Sequence, residues 1–224
     1  MFYNNMRNCE MTDQLIKNTI AYVKEVFAAD FSGHDFFHTM RVYQMATKLA
    51  LAEKADLQTV QLAALLHDVD DRKLSPETCE NKDRAMAYLK SQNLAEEMIK
   101  TIEQIIGEVS FMGTDSVVPN TLEGKCVQDA DRLDALGAIG IARAFAYGGN
   151  HNRVMYDPEI PPALNMGKEE YQNHVSTTVN HFYEKLFLLK DMMNTESAKE
   201  IAENRERYMK DYIDEFMDEW EGIR

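Results

Sequence analysis

Apolar residues recur every three or four positions through most of the chain and nowhere alternate convincingly, the pattern of helices packed by one face. Leu15, Ile16, Ile20, Val23 and Phe27 follow Thr12-Asp13, which can cap a first helix. A second helix is expected over about Phe37–Glu53, with Val42, Met45, Leu49 and Ala52 inward. Asp56 can cap a third, whose run Leu62-Ala-Ala-Leu-Leu66 has no polar face and so reads as buried on all sides. Pro76 marks the start of an amphipathic helix to about Lys90, and Leu94–Val109 forms another, with Met98, Ile102, Ile105 and Ile106 inward. After a loop over 111–120, Leu122–Tyr147 reads as one helix or as two broken near Gly137, ended by Gly148-Gly149. The stretch 150–167 contains Pro158, Pro161 and Pro162, and irregular stretches of that length in compact domains are lids, binding loops or disordered. A long helix is expected over Lys168–Met193. A last one, Glu196–Trp220, carries a stripe of Ile201, Tyr208, Tyr212, Phe216 and Trp220. The fold class is all-α.

Composition narrows the setting. A length of 224 residues with 45% hydrophobic content suits one domain, here 12–224 behind a short arm, 1–11, with Met11 an alternative start. No apolar run is long enough to cross a bilayer, and the first ten residues lack the apolar centre of a signal peptide. Cys9, Cys79 and Cys126 form neither a pair motif nor an even framework, which points to reduced thiols in the cytoplasm. A net charge of −14 opposes binding to nucleic-acid polymers and to anionic membranes. A small phosphorylated ligand is still compatible, because a metal ion and a few local bases can hold it.

Chemistry concentrates where the apolar third helix ends, in His67-Asp68 followed by Asp70 and Asp71. Ionisable groups at the end of a buried helix need neutralising, and a divalent cation does so. Taken alone, the stretch is equally well a helix reaching solvent with a His-Asp pair at its end. His38, opening the second helix, and Asp131, within Val127-Gln-Asp-Ala-Asp-Arg-Leu-Asp134, could converge with His67 and Asp68 on one ion. Two imidazoles with two carboxylates suit manganese, iron or zinc better than magnesium. Four protein ligands leave positions open for a reactant. Asp70 reads as solvated.

On an unbroken helix over 168–193, Val175, Val179, Phe182, Leu186, Leu189 and Met193 form an apolar stripe. His174, His181 and Lys185 lie on a line beside it, within about 40° of one another. Such a line suits a phosphate pocket, His181 and Lys185 more than His174. The plainer reading is half-buried histidines and a snorkelling lysine. Arg143 and Arg153 are further phosphate contacts in prospect, Arg41 is a lock on the ligand shell, and Tyr156 is a residue that could close over a base. His34-Asp-Phe-Phe-His38 has the spacing of a zinc-protease motif, but with Asp for Glu and at a turn, which argues against that chemistry. The aspartates of Asp129-Ala-Asp-Arg-Leu-Asp134 are similar to a diphosphate-binding run, yet stand alone.

His38, His67-Asp68 and Asp131, in that order, resemble the signature of the HD-domain metal-dependent phosphohydrolases. Ser32-Gly-His-Asp-Phe-Phe-His-Thr-Met-Arg-Val42, Ala63-Ala-Leu-Leu-His-Asp-Val-Asp-Asp71, Gln128-Asp-Ala-Asp-Arg-Leu-Asp-Ala-Leu-Gly-Ala-Ile-Gly140 and Asn180-His-Phe-Tyr-Glu-Lys-Leu186 look like the small bacterial YedJ/YpgQ-like branch. The resemblance covers about 12–220. It implies a single HD-domain helical bundle and one divalent metal on His38, His67, Asp68 and Asp131. Manganese is the first choice, with magnesium, iron, nickel or zinc as alternatives. It further implies attack of a metal-activated water on phosphorus. Asp71 matches the position where relatives place a catalytic acid or base, with ion pairing to Arg72 or Lys73 as its plainer role. Arg132 stands where relatives carry Arg or Lys, and serves either a local ion pair or a phosphate. Lys73 and Arg143 join Arg132, His181 and Lys185 as candidate substrate contacts. The implied reaction is hydrolysis of (deoxy)nucleoside triphosphates to monophosphate and pyrophosphate. A nucleoside 5′-monophosphate phosphatase and a non-catalytic sensor of phosphorylated metabolites are the alternatives, and a homodimer is compatible with the sequence.

Overall fold

The computed structural model describes residues 2–28, 35–70, 77–78, 81–174 and 176–224. Among them no strand forms, only an isolated bridge between Met112 and Thr114, and the chain is all-α as expected. No helix among the described residues is long and apolar enough to cross a membrane. The chain divides into two compact units: Met1–Val109 with Pro119–Gln128, and Ser110–Val118 with Asp129–Arg224.

The first unit is built on α3 (Leu57–Leu66). Val60 and Leu62 to Leu66 are fully buried, so every face of this helix needs a partner. α1 (Phe2–Val26), α2 (Phe36–Glu53) and α5 (Glu96–Val109) supply them. Asp56 caps α3 as expected, accepting the Thr59 amide at 2.9 Å. α1 starts at Phe2, so Thr12 and Asp13 lie inside it rather than at its cap. The buried face of α2 is Val42, Ala46, Leu49 and Ala50, with Ala52 exposed. α4 (Asp83–Ser91) starts later than the expected helix; Pro76 lies outside the described residues.

α6 (Leu122–Asp134) and α7 (Gly137–Asn150) realise the broken alternative. Gly137 takes φ +74, a left-handed backbone that glycine adopts without penalty. Gly148 does not end α7 but sits inside its last turn. A Cβ there would meet the Thr178 hydroxyl at 2.3 Å, so the glycine permits a close approach instead.

The expected long helix over 168–193 is broken. α8 (Lys168–Asn173) ends at His174 and α9 (Thr178–Glu184) starts after Thr177, both with extended backbone, and two 3₁₀ turns follow, Leu186–Leu188 and Lys190–Met192. The Thr177 hydroxyl caps α9 by accepting the Asn180 amide at 3.0 Å, a bond that marks a new helix start here. α10 (Glu196–Trp220) has the expected bounds. Its buried apolar residues, however, are Ala198, Ala202, Met209 and Ile213, while Tyr208 and Trp220 are largely exposed.

Candidate metal centre

Two helix ends make the centre in the first unit. Asp35 caps α2, accepting the His38 amide at 2.8 Å, which fixes His38 in the first turn with its side chain in the interior. His67 is the C-cap of α3 and Asp68 follows in the turn. Donor atoms of His38, His67 and Asp68 all lie within 4.8 Å of one another. His38 Nε2 is 3.3 Å from Asp68 Oδ2, and His67 Nε2 is 3.2 Å from the same oxygen. The two rings meet edge to face at 5.4 Å. All three residues are buried, His38 completely.

The set fits a divalent ion. His67 Nδ1 lies 2.8 Å from the Ala64 carbonyl, which can only accept, so Nδ1 carries the hydrogen and Nε2 presents its lone pair toward Asp68. A ring oriented in this way through its other nitrogen is the usual support of a metal-bound histidine. The bond also engages one of the last carbonyls of α3, where the helix dipole is negative and favours a cation.

Asp70 was expected in solvent and is 1% exposed. Its oxygens accept the Arg84 amide at 3.2 Å and the Ala85 amide at 2.9 Å. Lys82, the residue before α4, makes no side-chain cap, so Asp70 caps that helix from a distant turn. Asp71, Arg72, Lys73 and His34 lie outside the described residues.

Arg41 is half-buried on α2 in the first unit, and the other described candidates lie in the second. Asp131 is half-buried on α6, and its neighbours have separate tasks. Asp129, fully buried, accepts from the Asn194 amide and side chain at 2.9 and 2.8 Å, and from the Thr195 amide and hydroxyl at 2.8 and 2.7 Å. Arg132 is 3% exposed and donates to the Met192 carbonyl, and burial pushes its pKa down against the pull of Asp129 and Asp131. Arg143 pairs with Asp134 at 2.6 Å. Both arginines are thus turned to the protein.

On α9 and after it, the broken backbone replaces the expected His/His/Lys line. His174 pairs with buried Glu184 at 3.1 Å. Lys185 Nζ sits over the Phe111 ring at 4.8 Å. Burial first, then the charges of Lys185 and Arg153, push His181 down to about 3. Sequence reasoning missed Asp129, Glu184 and Phe111. The only local signal was the placement of two of them, Asp129 beside Asp131 and Glu184 beside Lys185.

Comparison with known proteins agrees with this geometry. The HD domain family matches residues 35–136, which span His38, His67, Asp68 and Asp131. YpgQ of Bacillus subtilis is 35% identical over 204 residues, covering 90% of this chain and 92% of YpgQ. The chain belongs to the HD-domain family. At the family level it is a metal-dependent phosphohydrolase. An HD-superfamily hydrolase from Bacillus thuringiensis superposes with TM-score 0.75 at 44% identity, over 94% of this chain and 98% of the other. A Lactobacillus plantarum protein reaches TM-score 0.83 at 39% identity, over 92% and 97%. YpgQ crystallised in complex with ADP gives TM-score 0.75 at 33% identity, over 93% and 96%.

Proposed function

We propose that this HD protein hydrolyses nucleoside or deoxynucleoside triphosphates to the monophosphate and pyrophosphate. One divalent ion, manganese by preference, would be held by His38, His67, Asp68 and Asp131. The observation that carries this reading is the convergence of His38, His67 and Asp68 on one buried point. The ADP complex of its relative YpgQ supports a nucleotide as ligand.

When bound, the ion supplies Lewis-acid polarisation of a phosphoryl oxygen and acidifies water. His67 contributes a fixed tautomer, set by Ala64, so its Nε2 needs no reorientation. Asp71 is assigned as proton acceptor for the attacking water at its carboxylate oxygen. Lys185 and His181 are assigned to the departing phosphates, where donors stabilise developing charge. Lys73 is a further substrate contact. Arg132 and Arg143, bonded to Met192 and Asp134, are assigned to positioning α6 and α7 rather than to substrate.

The test is product analysis. Protein stripped of metal and reloaded with manganese or magnesium is offered nucleoside mono- and triphosphates, and products are separated by anion exchange. Metal-dependent pyrophosphate with nucleoside monophosphate is expected. Orthophosphate from monophosphates would replace the reading with a phosphatase. Nucleotide binding without turnover under any metal would replace it with a sensor.

A further inference from the structure

We propose that Asp70 is a positioning residue of the metal centre: by clamping the start of α4 it fixes the turn that presents Asp68 to the ion. The proposal rests on the metal set of the reading above, and not on the identity of the substrate.

The three donors of the first unit are held by different means. His38 lies in the first turn of α2 under the Asp35 cap, and His67 is oriented by the Ala64 carbonyl. Asp68 stands beyond Leu66, the last residue of α3, in the turn 67–70. Its Oδ2 nevertheless keeps 3.3 Å from His38 Nε2 and 3.2 Å from His67 Nε2. Such separations suit donors that each lie about 2.1 Å from a common ion. They tolerate displacement of the turn by only about half an ångström.

Past Asp68 the turn is fastened twice. The Val69 side chain is fully buried, and its amide donates to the Leu66 carbonyl at 3.3 Å. Asp70, 1% exposed, adds direction, because both of its oxygens are bound, to the Arg84 amide at 3.2 Å and to the Ala85 amide at 2.9 Å. These are the second and third amides of α4, the pair that a helix's own N-cap side chain serves. Lys82 stands at the N-cap and supplies no such bond. A cap at position 82 would satisfy α4 near the surface. The fold instead buries a carboxylate 14 residues away, a placement whose desolvation cost only its bonds offset. What that placement adds is a rigid link to the metal turn.

α4 is itself held from its other side. Tyr22 of α1 stacks on Tyr88 of α4 at 4.2 Å, and its hydroxyl donates to the Arg84 carbonyl at 3.4 Å. The Tyr88 and Thr19 hydroxyls bond at 3.0 Å. α1 packs on α3, and both α3 and α4 pack on α5. The contacts therefore form a closed ring within the first unit, from α3 through the turn to α4 and back through α1 and α5. Asp70 joins the metal turn to that ring.

The experiment measures manganese affinity of the metal-free, full-length protein by electron paramagnetic resonance, beside thermal unfolding. Asp70→Ala should weaken manganese binding by about 10–100-fold, the range for losing a residue that supports a ligand from behind. Asp70→Asn, which keeps one acceptor oxygen, should weaken it less. The ion that still binds should show altered fine structure in both variants, a change of ligand geometry that loss of a nearby charge alone does not produce. Tyr88→Phe, which loosens α4 against α1 without touching Asp70, is the control; it should lower the unfolding midpoint and leave affinity and spectrum as in wild type. If Asp70→Ala does not fold, Asp70→Asn decides. Wild type that binds no manganese, folded Asp70 variants with wild-type affinity and spectrum, or an equal loss of affinity in Tyr88→Phe would each overturn the proposal. If triphosphates are not hydrolysed yet the Asp70 variants lose manganese, the positioning role stands and the proposed reaction falls.

Discussion

Asp129→Asn should destabilise the second unit by about 3 kcal/mol. The side chain has no exposure, and its two oxygens take four donors from Asn194 and Thr195. These donors stand at the start of α10, where Thr195 makes no side-chain cap of its own. The carboxylate thus supplies the missing cap and faces the positive end of the helix dipole. Replacing one oxygen by an amide group turns about two of the four bonds into donor–donor contacts and removes the charge. Each charge-assisted bond contributes roughly 1.5–3 kcal/mol, and losses at one group are not additive, which gives the figure of about 3 kcal/mol. In a chain of this size that lowers the unfolding midpoint by roughly 6–12 °C. Calorimetry or urea unfolding would read the shift, with exposed Glu200→Gln as a control expected within about 0.5 kcal/mol. A double-mutant cycle with Thr195→Val should show coupling of about 1 kcal/mol. An Asp129→Asn shift no larger than the control, or no coupling to Thr195, would refute the clamp.

Other perturbations probe the centre directly. His67→Ala should abolish stoichiometric manganese binding and phosphohydrolase activity while the protein still folds, read by metal analysis, turnover and circular dichroism; retained activity would remove His67 from the ligand set. Asp71→Asn should keep the metal and lose at least about a hundredfold in kcat, in line with general-base contributions, and unchanged kcat would end its assignment. His181, held near 3 against about 6.5 when unfolded, stays neutral in the native protein through the physiological range. Between those values the unfolded chain takes up a proton that the native one refuses. The stability that neutral His181 contributes is therefore complete above about pH 6.5 and is lost as pH falls toward 3. His181→Asn should flatten that slope in a pH series of unfolding midpoints, and an NMR titration of His181 centred near 6.5 would contradict it.

The cluster of His38, His67 and Asp68, which could hold a metal, was legible because its residues carry two signals at once. His67 and Asp68 end a run with no polar face, and His38 sits in the first turn of a helix that the apolar pattern marks from about Phe37. Caps and apolar stripes are local, and a chain read a few residues at a time reveals them. The break between α8 and α9 also has a local mark, the Thr177 cap of α9. It was hidden because in the sequence the apolar spacing runs from Val175 through Val179, Phe182, Leu186 and Leu189 without a change of register. The aromatic stripe of α10 misled for a related reason. Periodicity marks a face but not its depth, and the residues that α10 buries are Ala198, Ala202, Met209 and Ile213.

What could not be read was which carboxylate meets which distant amide. Asp70, Asp129 and Glu184 are each buried, and each accepts hydrogen bonds from backbone amides at least 14 residues away: Arg84 and Ala85, Asn194 and Thr195, and Ala163. In sequence they look like part of the acidic excess. Their positions show a different division of labour. Asp70 lies two residues from Asp68, Asp129 two from Asp131, and Glu184 next to Lys185. In all three places a residue assigned to chemistry has beside it a carboxylate that anchors its own backbone to a remote helix start or loop. A metal ligand or phosphate contact must be held within a fraction of an ångström to act, and a buried, fully hydrogen-bonded neighbour on the same turn is the shortest way to hold it. The acidic clusters around the motifs are therefore two populations, one assigned to the proposed reaction and one facing the fold.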